Sequence, residues 1–214
     1  MNGAWGRWAP LLGVPFAVLV FVGALVSGST PDSDATAAHV VAWYHTHRSS
    51  VMASTFLLVY GLVIGVCFAA ALRSYLRARG AGDGPTILGF GGSIVLAVGV
   101  FVAAGFNFAA ADVPLRISPA SEQALNVLQN DVFFGLLAGA ALFLLGFGLA
   151  ILSVATIPSW LGWVAIPLGV ISVTPIGWIA VIFALPLWVL IVSVFAFLRQ
   201  DAGSSAAAPA PATG

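Results

Sequence analysis

The stretch ALNVLQNDVFFGLLAGAALF, residues 124–143, passes within a few positions from a polar helix to an apolar one. The polar residues between Asn126 and Asp131 are followed by an uncharged apolar run over residues 132–154. A bilayer core of about 30 Å needs about 20 apolar helical residues, because backbone groups cannot be left unpaired in hydrocarbon. We therefore interpret 132–154 as a membrane span whose helix begins outside the membrane.

The composition is that of an integral membrane protein. Its 214 residues are 61% hydrophobic and 7% charged, and the mean hydropathy is +1.09. A soluble domain has about 25% charged residues, so this chain cannot form an ordinary water-facing surface. The formal net charge is zero and no basic block occurs, which argues against a nucleic-acid partner. The single Cys67 lies in an apolar run and excludes a disulfide framework.

The apolar segments predict an all-α membrane protein with a six-span helix bundle. A helix over residues 160–198 would be about 60 Å long, too long for one crossing, and SVTPIG at 172–177 offers a turn. We therefore divide that run into two spans. The predicted spans are 10–27, 51–72, 86–111, 132–154, 158–173 and 176–198, in a membrane domain covering 1–199 and followed by a disordered cytoplasmic tail, 200–214.

The arginines predict the orientation of the bundle. In a six-span chain, two arginines lie on one side and five on the other, where the positive-inside rule places the cytoplasm. The two are Arg48 and Arg116, and the five are Arg7, Arg73, Arg77, Arg79 and Arg199. We expect a bacterial inner-membrane protein with cytoplasmic N- and C-termini. The first span also has the pattern of a signal peptide, and its cleavage would leave five spans.

The first outer segment contains all three histidines of the chain. Residues 34–48 carry apolar residues at helical spacing, which predicts a short amphipathic helix on the outer membrane surface or over the bundle. On such a helix His45 and His47 lie about 200° apart, and about 12 Å of rise separates His39 from His47. Zinc requires nitrogen ligands at about 2 Å, so we predict no metal site, and the sequence indicates no cofactor.

A second outer helix is predicted to extend the fourth span. Ser118 before Pro119 is typical of a helix start, with a capping hydroxyl followed by proline at the first helical position. From residue 119 to residue 154 this helix would be about 54 Å long, so several turns must project beyond the membrane. A row of polar residues at spacings of three and four predicts a face in contact with water: Glu122, Asn126, Gln129 and Asn130.

Asp131 leaves that polar row and continues a row of small residues. With Gly135 and Gly139 it is spaced by four, which predicts that the two glycines pack against another helix and that Asp131 points inward. Gly61 and Gly65 repeat this pattern on the second span. An inward carboxylate needs partners, and it either joins helices or forms a polar site. Its predicted surroundings are Asn107, Asn126, Asn130, Arg48 and Arg116.

Two longer stretches resemble a family of uncharacterised small multi-pass membrane proteins from actinobacteria. They are AAHVVAWYHTHRSSVMASTFLLVYGLVIGVCFAAALRSYLRARG, residues 37–80, and IPSWLGWVAIPLGVIS, residues 157–172. The family's features are a tyrosine-rich outer helix ending in His-Arg, an alanine-rich span ending in Leu-Arg, and a Pro-x-Trp-Leu-Gly-Trp motif. The matching residues are Tyr44, His47, Arg48, Leu72, Arg73, Pro158, Trp160, Leu161, Gly162 and Trp163. The resemblance implies a six-helix membrane domain and supplies no catalytic or binding residue.

Three functions are open at this point. The scarcity of charge inside the spans favours a non-enzymatic structural or regulatory membrane module that contacts lipid, a membrane-protein partner or a second copy of itself. The alternative is a small transporter with an outer polar vestibule around Asp131. The third is an enzyme acting on lipid in the outer leaflet, which needs a histidine within about 3 Å of a carboxylate.

Overall fold

The protein is α-helical throughout the part of the chain that its structure describes. The computed structural model describes residues 8–112, 117–174 and 176–205, and within them it contains no β-strand. The helices, in chain order, are α1, a 3-10 turn Ala9–Leu12 that continues as Gly13–Ser27; α2, Ala37–Arg77; α3, Asp83–Asp112; α4, Pro119–Asp131; α5, Phe134–Leu152; α6, Ser159–Ser172; and α7, formed by Gly177–Ile179, a π-helical turn Ala180–Ala184 and Leu185–Ser205.

Five helical stretches among the described residues are long and apolar enough to cross a membrane. They are Ala9–Ser27, Ala37–Arg77, Asp83–Asp112, Pro119–Leu152 and Gly177–Arg199. The structure is therefore an all-α membrane bundle, as predicted. The number of full spans is corrected from six to five, because α6 has 14 residues and a length of about 21 Å. It is a shorter apolar helix beside the five.

The helix α2 joins two segments that were predicted to be separate. It has 41 residues, about 61 Å, and includes both the predicted outer helix and the second span. The predicted outer helix is therefore the first part of α2 and not a separate helix. Ser49 and Ser50 do not interrupt the helix, since neither is glycine or proline, and the Ser50 hydroxyl donates to the His47 carbonyl at 2.8 Å. Thr36 caps the start of the helix, because its hydroxyl accepts a hydrogen bond from the His39 backbone amide.

The predicted continuous helix from residue 119 to residue 154 is divided into two helices. Val132 leaves the helical conformation, with φ −82° and ψ 50°, and α5 begins at Phe134 and ends at Leu152. The apolar length of α5 is about 28 Å, so it matches a bilayer core by itself. The polar helix α4 is therefore a separate element at the end of the bundle.

A π-helical turn in α7 precedes Pro186. Proline has no N–H to donate and its ring collides with the carbonyl four residues earlier. The carbonyl four residues before Pro186 belongs to the π-helical turn Ala180–Ala184. A π-helical turn is wider than an α-helical one, so it leaves room for the proline ring. The helix continues to Ser205, beyond the predicted start of the disordered tail at residue 200. Residues 206–214 of that tail lie outside the described residues.

Glycines set the closest helix contact, between the antiparallel helices α3 and α5. A Cβ added at Gly139 would overlap the backbone nitrogen of Leu96, and one at Gly146 would overlap the backbone of Gly89. Near the other end a Cβ at Gly135 would lie 3.5 Å from the Cα of Gly99. The contact at Gly135 is an ordinary one, but at Gly139 and Gly146 only glycine permits the approach of the two backbones, which is the usual role of small residues between membrane helices.

The helix α1 packs against the second glycine pair. A Cβ on Gly65 would lie 2.6 Å from Cδ2 of Phe16, and one on Gly61 would lie 3.2 Å from Cβ of Leu19. Both glycine pairs therefore face helices of the same chain. They are not free to contact a partner protein.

The short helix α6 is held to the bundle by a buried tryptophan. Trp188 of α7 donates its indole N–H to the Leu161 carbonyl at 2.9 Å and meets Phe143 edge to face. One turn later on α6, Cβ of Ala165 would lie 2.9 Å from a Cβ added at Gly148 of α5. A void of about 10 Å³ lies in the core near Phe143 and Ser93. That volume is about the space of one water molecule.

Candidate functional site

Polar residues collect at one end of the bundle, in a region that we call the cap. It consists of residues 28–51, residues 104–112 at the end of α3, and the helix α4. Its small apolar core is separate from the main core of the bundle and contains Val40, Tyr44, Val51, Ala110 and Ala111. The cap is therefore a packed unit beyond the apolar length of the bundle, and it contains most of the predicted site residues.

Three amide side chains of α4 hold the loop before α2. Asn126 donates to the Pro31 and Asp32 carbonyls at 3.2 Å each, and Asn130 donates to Pro31 at 2.8 Å. One turn before Asn126, Gln123 donates to the Ala35 carbonyl at 2.8 Å. Backbone carbonyls of a loop need partners when they are covered, and these amides supply them. The row of polar residues on α4 thus serves to fix the loop.

Tyr44 connects the three helices of the cap. It is fully buried, and its hydroxyl lies 3.1 Å from Oδ1 of Asn107 on α3 and 3.4 Å from Oδ1 of Asn126 on α4. Burial first, and then the nearby Glu122, raise the pKa of Tyr44 well above its ordinary value. The phenol therefore stays protonated and donates its hydrogen to the two asparagine oxygens.

Glu122 is the most unusual residue of the cap. Its exposed fraction is 0%, and neither carboxyl oxygen has a hydrogen-bond partner among the described residues. Burial raises the pKa of its carboxyl group, because a charged carboxylate without partners is costly to remove from water. The cap therefore favours the protonated form of this carboxyl group over the carboxylate.

The predicted water-facing row on α4 is therefore corrected. Glu122 and Asn126 are fully buried, and Gln129 and Asn130 are partly buried. The spacing correctly identified one face of the helix, but that face is covered by the loop and by α2. The side of α4 that meets solvent carries Ala120, Ala124 and Leu128 instead.

Asp131 is exposed, contrary to its predicted inward position. Its Oδ1 accepts from the Ser33 hydroxyl at 3.2 Å, at the surface. None of its predicted partners contacts it in the described residues: Asn107 binds Tyr44, and Arg48 pairs with Asp112 at 3.0 Å. The prediction for Arg116 lies outside the described residues. The break at Val132 separates Asp131 from the row of Gly135 and Gly139, which explains the difference.

The histidines lie on the first turns of α2. The Nδ1 atom of His47 is 2.9 Å from the Trp43 carbonyl, and the two rings stack with centroids 4.5 Å apart. In the part of the chain that the structure describes, no three histidine, cysteine, aspartate or glutamate side chains are grouped as a metal ion requires. The arrangement at His47 is one of local packing.

Sequence reasoning did not assign a site role to Tyr44 or Glu122. A signal for Tyr44 was present, since it lies on the apolar face of its helix and a buried phenol requires a hydrogen-bond partner. Glu122 has no such signal, because a glutamate at the start of a helix is ordinarily stabilised by the helix dipole in water. Its burial depends on segments distant in sequence.

The geometry of the cap joins some predicted residues and separates others. Asn107, Asn126 and Asn130 belong to one network, through Tyr44 and Pro31, whereas Asp131 and Arg48 lie outside it. The void in the core is bordered by none of these five. An open depression of about 750 Å³ lies between the start of α2 and Pro119, also apart from them. The network can hold the cap closed, because the side-chain amides of Asn126 and Asn130 donate to the loop before α2.

Comparisons of the chain with protein-family models, with curated proteins and with solved structures give no match. The function is therefore inferred from the geometry of the cap and of the bundle.

Proposed function

We propose that the protein is a non-enzymatic structural or regulatory module of the bacterial inner membrane, with a closed cap on the outer side. The observation that carries this proposal is that the α4 amides of Gln123, Asn126 and Asn130 bind the loop before α2. The amide of Asn126 is engaged by two loop carbonyls and by Tyr44. A substrate that bound at Asn126 or Asn130 would have to displace these bonds.

Charge at the two ends of the bundle supports the proposed orientation. The described acids of the cap are Asp32, Asp34, Asp112, Glu122 and Asp131, and the described arginines of the opposite end are Arg73, Arg77, Arg79 and Arg199. At that opposite end Arg77 and, at 3.9 Å, Arg73 pair with Asp83. Arginine-rich ends face the cytoplasm, so we assign the cap to the outer side and both termini to the cytoplasm.

The two other functions receive less support from the described residues. A transporter needs polar groups that continue from a vestibule into the bundle, whereas Asp131 is exposed at the surface and the core void has room for about one water. A lipid-acting enzyme needs a histidine beside a carboxylate, whereas His47 stacks on Trp43. We also propose, on the residues quoted above, that the chain is related to the actinobacterial multi-pass family that it resembles.

The proposal predicts that Asn126→Ala loosens the cap without creating or abolishing transport. Loss of a buried amide with three partners costs about 1–3 kcal/mol, so we expect hydrogen exchange of the amides in residues 31–36 to rise about tenfold or more. Hydrogen–deuterium exchange of the purified protein measures this rise. The matched control is Asp131→Asn, which changes an exposed carboxylate and should leave the exchange of residues 31–36 near the wild-type rate.

The same variants separate a structural module from a transporter. In liposomes, wild-type protein should give no saturable flux of ions, amino acids or sugars above that of protein-free vesicles. A saturable flux that falls in Asn126→Ala or in Asp131→Asn would contradict the proposal and favour the vestibule.

A further inference from the structure

The outward face of α2 forms a regular strip of exposed side chains along the membrane. We call it the α2 seam, and its positions are spaced alternately by three and four residues. The exposed residues of the seam are Ala53, Phe56, Tyr60, Val63, Cys67 and Ala70. This spacing averages 3.5 residues, which is the repeat that keeps one helix face against a parallel partner in a left-handed coiled coil.

Tyr60 lies at the middle of the membrane thickness. The next residue, Gly61, packs on Leu19, which is the eleventh of the 19 residues of Ala9–Ser27. The headgroup region begins about 15 Å from the centre of a bilayer core of about 30 Å. A phenol side chain attached at the centre is too short to reach it. The Tyr60 hydroxyl is therefore in hydrocarbon when the chain is in a membrane.

The Tyr60 side chain is directed away from its own bundle. Its exposed fraction is 59%, and no side chain or carbonyl of the described residues forms a hydrogen bond with its hydroxyl. Its ring stacks on Phe56, with centroids 6.3 Å apart, and Phe56 in turn meets Phe108 edge to face at 5.8 Å. The ring is thus supported by its own chain, while the polar group at its tip is not.

A hydroxyl without a partner is unfavourable in hydrocarbon. Its transfer from water without a compensating hydrogen bond costs about 4–8 kcal/mol on a cyclohexane scale. Tyrosines of membrane proteins are accordingly found at the interfaces, where the ring is in lipid and the hydroxyl in water. A tyrosine at the centre of a lipid-facing strip is explained when another protein surface covers that strip.

We propose that the α2 seam is the interface of a parallel homodimer, in which the Tyr60 hydroxyls of the two copies bond to each other. This inference rests on the proposed function and identifies the partner of the module as a second copy of the chain. A two-fold axis along the membrane normal brings each seam residue to the depth of its counterpart. A hydroxyl is both donor and acceptor, so two copies of Tyr60 satisfy one another without a further group.

The other seam residues fit close approach of two copies. Ala53 and Ala70 are small on either side of the aromatic pair, and small residues allow membrane helices to approach. Cys67 lies seven residues from Tyr60, so it recurs on the same face two turns away. It is the only cysteine of the chain and is exposed. A parallel dimer through the seam therefore places two Cys67 thiols near each other.

Cross-linking through this native cysteine tests the interface. The full-length protein is placed in vesicles of phosphatidylethanolamine and phosphatidylglycerol and oxidised with copper phenanthroline. We expect a covalent dimer that disappears in Cys67→Ser. The matched control is Leu187→Cys in the Cys67→Ser background, since Leu187 is exposed on α7 near the middle of Gly177–Arg199. This variant should form little covalent dimer.

A second measurement tests the role of the hydroxyl. Interhelical hydrogen bonds in membranes contribute about 0.6–1.7 kcal/mol, so Tyr60→Phe should lower the dimer association constant about three- to twentyfold. Energy transfer between labelled copies, measured while the protein is diluted with lipid, reports this constant. Monomers at every dilution, an unchanged constant in Tyr60→Phe, or cross-linking of Leu187→Cys in place of Cys67 would each overturn the inference.

The experiments test the dimer and the proposed function separately, so that either can fail without the other. A monomeric protein that gives no saturable flux refutes the dimer and retains the non-enzymatic module. A dimer with a flux sensitive to Asn126→Ala retains the interface and refutes the module. If Tyr60→Phe instead disrupts a complex with a different membrane protein while the purified chain stays monomeric, the occupant of the seam is that protein and not a second copy.

Discussion

Gly139→Ala should destabilise the bundle by more than about 3 kcal/mol, although it adds a single methyl group. The added Cβ would overlap the backbone of Leu96, and backbone cannot move aside as a side chain can. Overpacking of a core ordinarily costs about 1–3 kcal/mol, and this contact is more severe because both helices must separate. Unfolding of the detergent-solubilised protein by added SDS measures the change.

A second glycine provides the control. Gly91 lies on α3, and a Cβ built there has no atom within 4 Å. Gly91→Ala should be neutral or stabilising by up to about 1 kcal/mol, because alanine has the higher helix propensity. If Gly139→Ala unfolds at the same SDS fraction as Gly91→Ala, then α3 and α5 do not approach as closely as described.

The stability of the cap should fall as the pH rises, and Glu122→Gln should remove most of this dependence. Burial raises the pKa of Glu122 in the folded cap above its value of about 4.3 in an unfolded chain. The stabilisation is therefore complete below the unfolded pKa and is lost as the pH rises through the folded pKa. Between the two values the slope is about 1.4 kcal/mol per pH unit.

Hydrogen exchange of residues 31–36 between pH 4 and pH 9, corrected for the intrinsic pH dependence of exchange, measures the opening of the cap. Glutamine has the size of glutamic acid but does not ionise, so Glu122→Gln should give a nearly flat profile. Among the described residues, Tyr44 interacts electrostatically with Glu122, and the pKa of Tyr44 is raised as well, so its phenol stays neutral in this range. A profile in which wild type and Glu122→Gln have the same slope would contradict a buried, neutral Glu122.

Asp131→Asn is the control for this experiment. Its carboxylate is exposed beside Ser33, so the variant should keep the slope of the wild type. A loss of slope in Asp131→Asn would assign the pH dependence to the surface of the cap and not to Glu122.

Much of the bundle could be predicted from local sequence. The apolar run at 10–27 and the uncharged stretch after Val132 correspond to α1 and α5, because a span is recognised by length and hydropathy alone. The errors occurred at boundaries. The outer helix at 34–48 and the span at 51–72 were predicted as separate, whereas one helix continues through both, and α6 is too short to count as a full span.

The cap was predicted less well, because its hydrogen bonds join segments that are distant in sequence. Asn126 and Asn130 bind carbonyls that lie 94–99 residues earlier in the chain. Helical spacing shows that these residues share a face, but it does not show whether that face meets water or protein. The same uncertainty applied to Glu122, which is buried only because α2 and the loop before it cover α4.

The sequence by itself determined the membrane class, the apolar segments that form the bundle and the rows of small residues, since hydropathy, helix rise and residue size are properties of neighbouring positions. The tertiary structure alone decided which of those rows are used within the chain. In the tertiary structure Gly135 and Gly139 pack on α3, Asp131 lies at the surface, Glu122 is buried and Tyr60 is exposed. These outcomes depend on which distant segment covers each face, and that is set by the packing of the whole bundle.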